Sequence, residues 1–300
     1  MKTRKVIKGE KHHWWPKAIS KFWESERGLV QRIDSSEKVV SSKGKEFGQI
    51  SGGHNMLFER VSPWQSTIEH YFDDPDRNMS SIIEWLASLK SEVDSEGTKE
   101  KQDLNQERES ENLDILRECI ISLVVRAPKF RNSLNSSVES IRGKLDKSES
   151  KRLIASNIHQ KYKALIKSSK GVGKFALLFS DEYEFIYGDG VYSNITPVTE
   201  QLHDIKLVIP LTPDIAVVWS SPMVFQTYPR IMSIVANKEI VAMVNNSVQV
   251  YSKDYLFFRE QKPDLIGDFK IGEHRVYSHQ SDPVGKLVDS LIEDESSKYF

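Results

Sequence analysis

Cysteine is nearly absent from this chain of 300 residues: Cys119 is the single one. An intrachain disulfide framework is thereby excluded, and a cysteine-based zinc site is disfavoured. Cys119 lies in an apolar run with Ile115, Leu116, Ile120 and Leu123, the setting of a packing residue rather than a reactive thiol. The expected compartment is reducing, hence cytoplasmic. Long apolar runs are missing too. The longest, such as 175–179 and 215–219, fall far short of the roughly 20 residues of a membrane helix, so no membrane partner is expected. The basic start (Lys2, Arg4, Lys5, Lys8) is followed by no apolar stretch of signal-peptide length. Neither sign of charge dominates: 42 Lys and Arg face 43 Asp and Glu, a formal net charge of −1. Attraction to a polyanion must therefore come from a local cluster.

What is present reads as one α+β domain over 1–300, with a mainly helical N-terminal half, an antiparallel β segment at about 174–220 and a helical C-terminal part. Pro16 fits the first turn of a short helix through Trp23, and 29–33 alternates as a strand. Asn55 to Phe58 reads as a short extended piece. Ser62-Pro63-Trp64 carries the signature of a helix start, predicting a helix through Phe72. Further helices are expected at 78–93, 112–127, 134–145 and 149–168. Residues 92–114 hold nine acidic and three basic side chains with almost no apolar ones, which predicts a flexible charged insertion at about 92–112. After Gly171 and Gly173 come two apolar runs, 174–179 and 183–187, separated by Ser180-Asp181-Glu182 in the manner of a hairpin. Residues 205–209 and 215–219 are two more strands around Pro210-Leu211-Thr212-Pro213. Helices are expected at 233–259 and 283–293, with Tyr277 in the segment between them.

Gly171-Val172-Gly173-Lys174 is not a phosphate loop, because Phe175 stands where Ser or Thr is required and the order is helix to strand. No nucleophile-elbow sequence or Ser-His-Asp order is present, which disfavours serine hydrolase chemistry. The chemistry-bearing candidates are elsewhere. His12 and His13 adjoin Trp14, Trp15 and Pro16, and imidazole serves both as a general base near neutral pH and as a metal ligand. Asp189 stands between Gly188 and Gly190 after a strand. Such a turn is either ordinary turn chemistry or a place where glycines let a ligand or metal approach the backbone. Glu69, His70, Asp73 and Asp74 group acidic side chains with an imidazole at one helix end. Residues 128–174 hold twelve Lys and Arg against three Asp and Glu, either a solvated helical surface or a footprint for nucleic acid.

His13-Trp14-Trp15-Pro16, with Phe22 six residues after the proline, resembles the opening His-x-x-Pro-x-x-(Tyr/Leu)-Leu-x-x-Phe of a large, mostly bacterial family of unknown function. Tyr187-Gly188-Asp189-Gly190-Val191 is similar to that family's central Asp turn. Val208-Ile209-Pro210-Leu211-Thr212-Pro213 is similar to its Pro-Leu-Ser/Thr-Pro turn. The stretch 241–260, with Asn245, Asn246 and Tyr251-Ser252, is similar to the helix that follows. Gly188 and Gly190 replace the usual Ser and small residue, and the proline after the Asp is absent. The resemblance implies an architecture and candidate positions, but no reaction.

Two functional expectations follow. The first is a metal-assisted hydrolase or nuclease-like effector acting on nucleic acid or a nucleotide. It assigns His13 as general base or metal ligand, His12 as its catalytic neighbour, Asp189 as ligand or orienter, Lys17 and Arg259 as phosphate contacts, and a divalent metal as cofactor. The second is a non-catalytic interaction or sensor protein whose His-Trp-Trp-Pro cluster is a packed anchor.

Overall fold

The computed structural model describes residues 2–5, 7, 9–57, 64–96, 101–103, 110–195, 205–221, 230–275 and 283–292. In chain order its N-terminal part contains β1 (Lys2–Lys5), β2 (Lys11–His13), α1 (Lys17–Ser20), β3 (Val30–Ile33), β4 (Val39–Ser42), β5 (Gln49–Ser51), β6 (Asn55–Leu57) and β7 (Trp64–Thr67). Four helices surround one short strand in the middle: α2 (Asp73–Glu96), β8 (Lys101–Asp103), α3 (Ser110–Arg126), α4 (Pro128–Arg142) and α5 (Lys147–Ser168). Then come β9 (Lys174–Phe179), β10 (Tyr187–Gly188), β11 (Tyr192–Ser193), β12 (Lys206–Thr212), β13 (Ile215–Ser220) and β14 (Ile231–Val235). The described chain closes with α6 (Lys238–Tyr251), β15 (Leu256–Phe258), α7 (Gly267–Lys270) and α8 (Pro283–Ile292). The fold is α+β, as the sequence pattern predicts.

A six-stranded sheet, β11-β12-β13-β9-β14-β8, forms the centre. Every residue of β9 and β13 is buried, because both faces of the sheet are covered. Phe175, Leu177, Phe179, Val217 and Trp219 pack on one face with Leu113, Leu116, Ile120, Ile158 and Leu165 from α3 and α5. Their neighbours Ala176, Leu178, Ala216 and Val218 face the other way, with Val241, Val244 and Val288 from α6 and α8. The period-2 alternation of a strand thus feeds two cores at once.

Pairing decides four segments differently from their local signals. Trp64–Thr67 is extended, because β7 lies between β1 and β6 and bonds to both; Ser62, Pro63 and Phe58 lie outside the described residues. Within the charged stretch 92–114, the described residues belong to regular elements: α2 runs to Glu96, β8 pairs with β14, and α3 begins at Ser110. The segment 183–187 forms no hairpin with β9. Its groups bond elsewhere: the Ile186 N–H donates to Asn245 at 3.0 Å, and Asn245 Nδ2 donates to the Glu184 carbonyl at 2.9 Å. The interval 233–259 is strand, helix, then strand. Ile231–Val235 runs parallel to β9, and the Asn237 side chain caps α6 by accepting the Ile240 N–H at 3.0 Å. Tyr277 lies outside the described residues.

The aromatic opening of the chain anchors the N-terminal part to this body. Trp15 is fully buried, stacked on Phe257 (centroids 4.5 Å apart) and Tyr187 (5.2 Å). Trp23 Nε1 donates to the Leu211 carbonyl at 2.9 Å. Gly48, at φ +67°, lies directly against Trp15, where a β-carbon would collide with it. With the Trp14 N–H donating to its carbonyl at 2.8 Å, this fixes β2 beside β5.

Candidate metal centre

β2 pairs with β5 in the register His12↔Ile50 and His13↔Gln49. Adjacent strand residues point to opposite faces, so the two histidines part company. His12 goes inward and is 3% exposed. The turn after β5, Gly52-Gly53-His54-Asn55, brings a third histidine back over it. Arg131 secures this turn, donating twice to the Gly53 carbonyl at 2.8 and 2.7 Å. The His54 ring, 1% exposed, stacks on that of His12 with centroids 5.0 Å apart and 27° between planes.

Each of these imidazoles has its own carboxylate. His54 Nδ1 is bonded to Glu69, in the one-turn 3-10 helix Glu69–Tyr71 after β7. His12 Nδ1 accepts the His54 backbone N–H at 3.1 Å, which puts the ring proton on Nε2, 3.5 Å from Glu10 Oε1. Glu10 Oε2 in turn accepts from Asn55 Nδ2 at 2.9 Å and Gln65 Nε2 at 3.4 Å. One donor atom from each of His12, His54 and Glu69 lies within 4.8 Å of the other two. Glu69 is 39% exposed and forms the open side of the group. His54 Nε2 is buried without a hydrogen-bond partner among the described residues, a polar nitrogen that an ion or ligand could satisfy.

The surrounding field favours neutral imidazole. Burial pushes the His54 pKa well down, and the cations of Arg131 and Arg126 add to the effect. Arg131 is itself brought down to about 10 by burial. Arg126 is fully buried, bonded to Asp76 at 2.7 and 3.1 Å and lying over the Phe72 ring. Neutral imidazole is the form that binds metal, and the carboxylates of Glu10 and Glu69 offset the two guanidiniums.

The expected site residues separate. His13 is partly buried on the other face of β2 and is not one of the three donors; burial and then Lys17 lower its pKa. Lys17 is the exposed first residue of α1. Asp189 serves a turn: its carboxylate accepts the N–H groups of Lys253 at 2.8 Å and Asp254 at 3.1 Å, with His274 Nε2 at 3.6 Å. Burial raises its pKa, opposed by His274. The glycines beside it open no path to a ligand, since a β-carbon on Gly188 would strike Ser252 and one on Gly190 would strike Tyr251. Asp189 is therefore placed as a cap on the segment after α6 and not in the His13 pairing expected of it. Arg259 is occupied by Glu184 at 2.8 Å and by Asp214 at 2.8 and 3.0 Å. It lines an open cleft of about 790 Å³ together with Glu24, Glu26, Glu184 and Glu260. Four carboxylates against the two guanidiniums of Arg259 and Arg27 leave the cleft net negative, which disfavours phosphate.

His54 has no cue in the sequence beyond the Gly52-Gly53 turn before it. His12 was legible as a candidate, and Glu69 belongs to an acidic group noted at a helix end. No family model, no curated protein and no solved structure matches this chain. No helix among the described residues is long and apolar enough to cross a membrane.

Proposed function

We propose that His12, His54 and Glu69 hold a divalent transition metal, and that the protein is a metal-assisted hydrolase of phosphate esters. The observation that carries this is the convergence of two buried imidazoles and one half-exposed carboxylate from three separate segments. Two nitrogens and one oxygen suit Zn²⁺ and similar ions, and three protein ligands leave a position for water or substrate. Such an ion supplies a hydroxide-like nucleophile near neutral pH and polarises a phosphoryl oxygen. Glu10 would keep the proton on His12 Nε2, which would leave Nδ1, the acceptor of the His54 N–H in this structure, as the nitrogen able to hold an ion.

The test is metal content after equilibration with Zn²⁺ or Mn²⁺, with hydrolysis of bis-p-nitrophenyl phosphate on the same samples. One ion per chain is expected, lost in His12→Ala and His54→Ala and kept in His13→Ala. Absence of metal from the wild type, or its retention in His54→Ala, overturns the reading.

A second reading has its own observation: the near-complete burial of His12 and His54 beside the buried Trp14, Trp15 and Pro16. On it, the protein is a non-catalytic interaction or sensor protein and the two imidazole–carboxylate pairs are a packing knot. Loss of thermal stability in His54→Ala, with no ion bound to the wild type, selects it. The motif resemblance to a bacterial family of unknown function is compatible with either reading. The single buried cysteine supports a reducing, cytoplasmic setting.

A further inference from the structure

One of the three donors is covered by the chain itself. A neutral imidazole has a single nitrogen able to accept a hydrogen bond or to ligate. On His12 that nitrogen is Nδ1, and it accepts the His54 backbone N–H at 3.1 Å. His12 therefore becomes a ligand only when that N–H turns away. A change of tautomer does not avoid this, because a proton on Nδ1 would set two N–H groups against each other.

The N–H belongs to the peptide that joins Gly53 and His54. A trans peptide is planar and carries its carbonyl opposite its N–H, so the two turn together. That carbonyl is the one gripped by Arg131, whose Nη1 and Nη2 donate to it at 2.8 and 2.7 Å. Arg131 is buried in the first turn of α4, and its Nε donates to the Arg126 carbonyl at 3.3 Å. One planar unit thus has a guanidinium on its oxygen and a metal-ligand candidate on its N–H. It is also the central peptide of a β-turn, closed by the Asn55 N–H donating to the Gly52 carbonyl at 3.2 Å. Rotation of that central peptide is what separates one turn type from another while the ends of the turn stay in place. Gly53 widens the backbone conformations open to it.

We propose that the Gly53–His54 peptide is the gate of the metal centre and that Arg131 is its latch. With the carbonyl on Arg131, the N–H covers His12 Nδ1; with the peptide turned over, Nδ1 is open to an ion. This rests on the metal reading. It makes the apparent affinity the intrinsic one reduced by the fraction of chains whose peptide is turned over.

The experiment is a Zn²⁺ titration of the whole protein against a chromogenic chelator, wild type beside Arg131→Lys. Lysine keeps the charge but lacks the two-pronged grip of a guanidinium. Arg131→Lys is expected to tighten Zn²⁺ binding about tenfold, the scale of one hydrogen bond from a charged donor. Equal or weaker binding, in a variant with the circular dichroism of the wild type, overturns the gate. A second measurement needs no variant: the nuclear magnetic resonance coupling across the hydrogen bond between the His54 amide and His12 Nδ1, in isotope-labelled wild type. It is expected without metal and should vanish at saturating Zn²⁺. A coupling that is absent without metal, or that persists at saturation, overturns the gate and leaves the metal reading standing. No Zn²⁺ bound to either protein overturns both.

Discussion

The rings of His12 and His54 lie one over the other, 5.0 Å apart, although 42 residues separate them in the chain. Their bonding differs: His12 accepts from the backbone of His54 and faces Glu10, whereas His54 bonds its own carboxylate, Glu69. The stack therefore has two carboxylates on different segments, and the Glu69 side is the more exposed, 39% against 18% for Glu10.

Glu10 fixes the tautomer of His12 without being counted among the three donors. Glu10→Gln is expected to lower metal affinity by roughly 10- to 100-fold, the usual scale for removing the hydrogen-bond partner of a metal-bound histidine. Zn²⁺ competition with a chromogenic chelator measures it. An unchanged affinity, with the far-ultraviolet circular dichroism of the wild type, would remove Glu10 from the centre.

Asp189→Asn separates the turn from the site. An amide offers one acceptor where the carboxylate serves two backbone N–H groups, so one part-buried donor loses its partner. A loss of about 1–2 kcal/mol in urea unfolding is expected, partly offset because burial already disfavours the charged form. Metal content should be unchanged. A variant that unfolds like the wild type but loses the ion would return Asp189 to the metal site.

Trp15→Ala removes a fully buried indole from contact with Tyr187, Trp23 and Phe257. The expected cost is about 3–5 kcal/mol. Should denaturant unfolding show less than about 1 kcal/mol, the cluster is not the anchor described above.

His159 gives a pH dependence away from the proposed ligands. Burial, and then Lys163, lowers its pKa in the folded chain. Below its ordinary value near 6.5, the unfolded chain takes up the proton more readily than the folded one. Stability from this group is therefore complete above about pH 6.5 and declines as pH falls through the lowered folded value. His159→Gln should show a smaller stability difference than the wild type between pH 7.5 and 5.5 in urea titrations. An equal difference in both proteins would contradict the assignment.

Much of the fold can be read directly from the chain. The runs 174–179, 205–209 and 215–219 are apolar enough to predict strands, and β9, β12 and β13 occupy those places. Helices predicted at 112–127 and 149–168 correspond to α3 and α5, since a 3.6-residue apolar period is a local property of many residues. His12 was legible as a candidate for the same local reason, standing beside His13, Trp14 and Trp15. Where short-range signals compete with pairing, pairing wins. Trp64–Thr67 is a strand because β1 and β6 flank it, and Asp189 is a cap because the segment after α6 returns to it.

By its sequence alone this protein was determined to be an α+β chain with one buried cysteine, an aromatic anchor and a basic stretch near residue 150. The partners of His12 were decided only in three dimensions. His54 and Glu69 reach it through the β2–β5 register, the Gly52-Gly53 turn and the β1-β7-β6 sheet. Hydrogen-bond pairing between distant strands leaves no periodic mark on the residues it brings together, so a histidine in a turn and a glutamate 15 positions later become neighbours only once the sheets have formed.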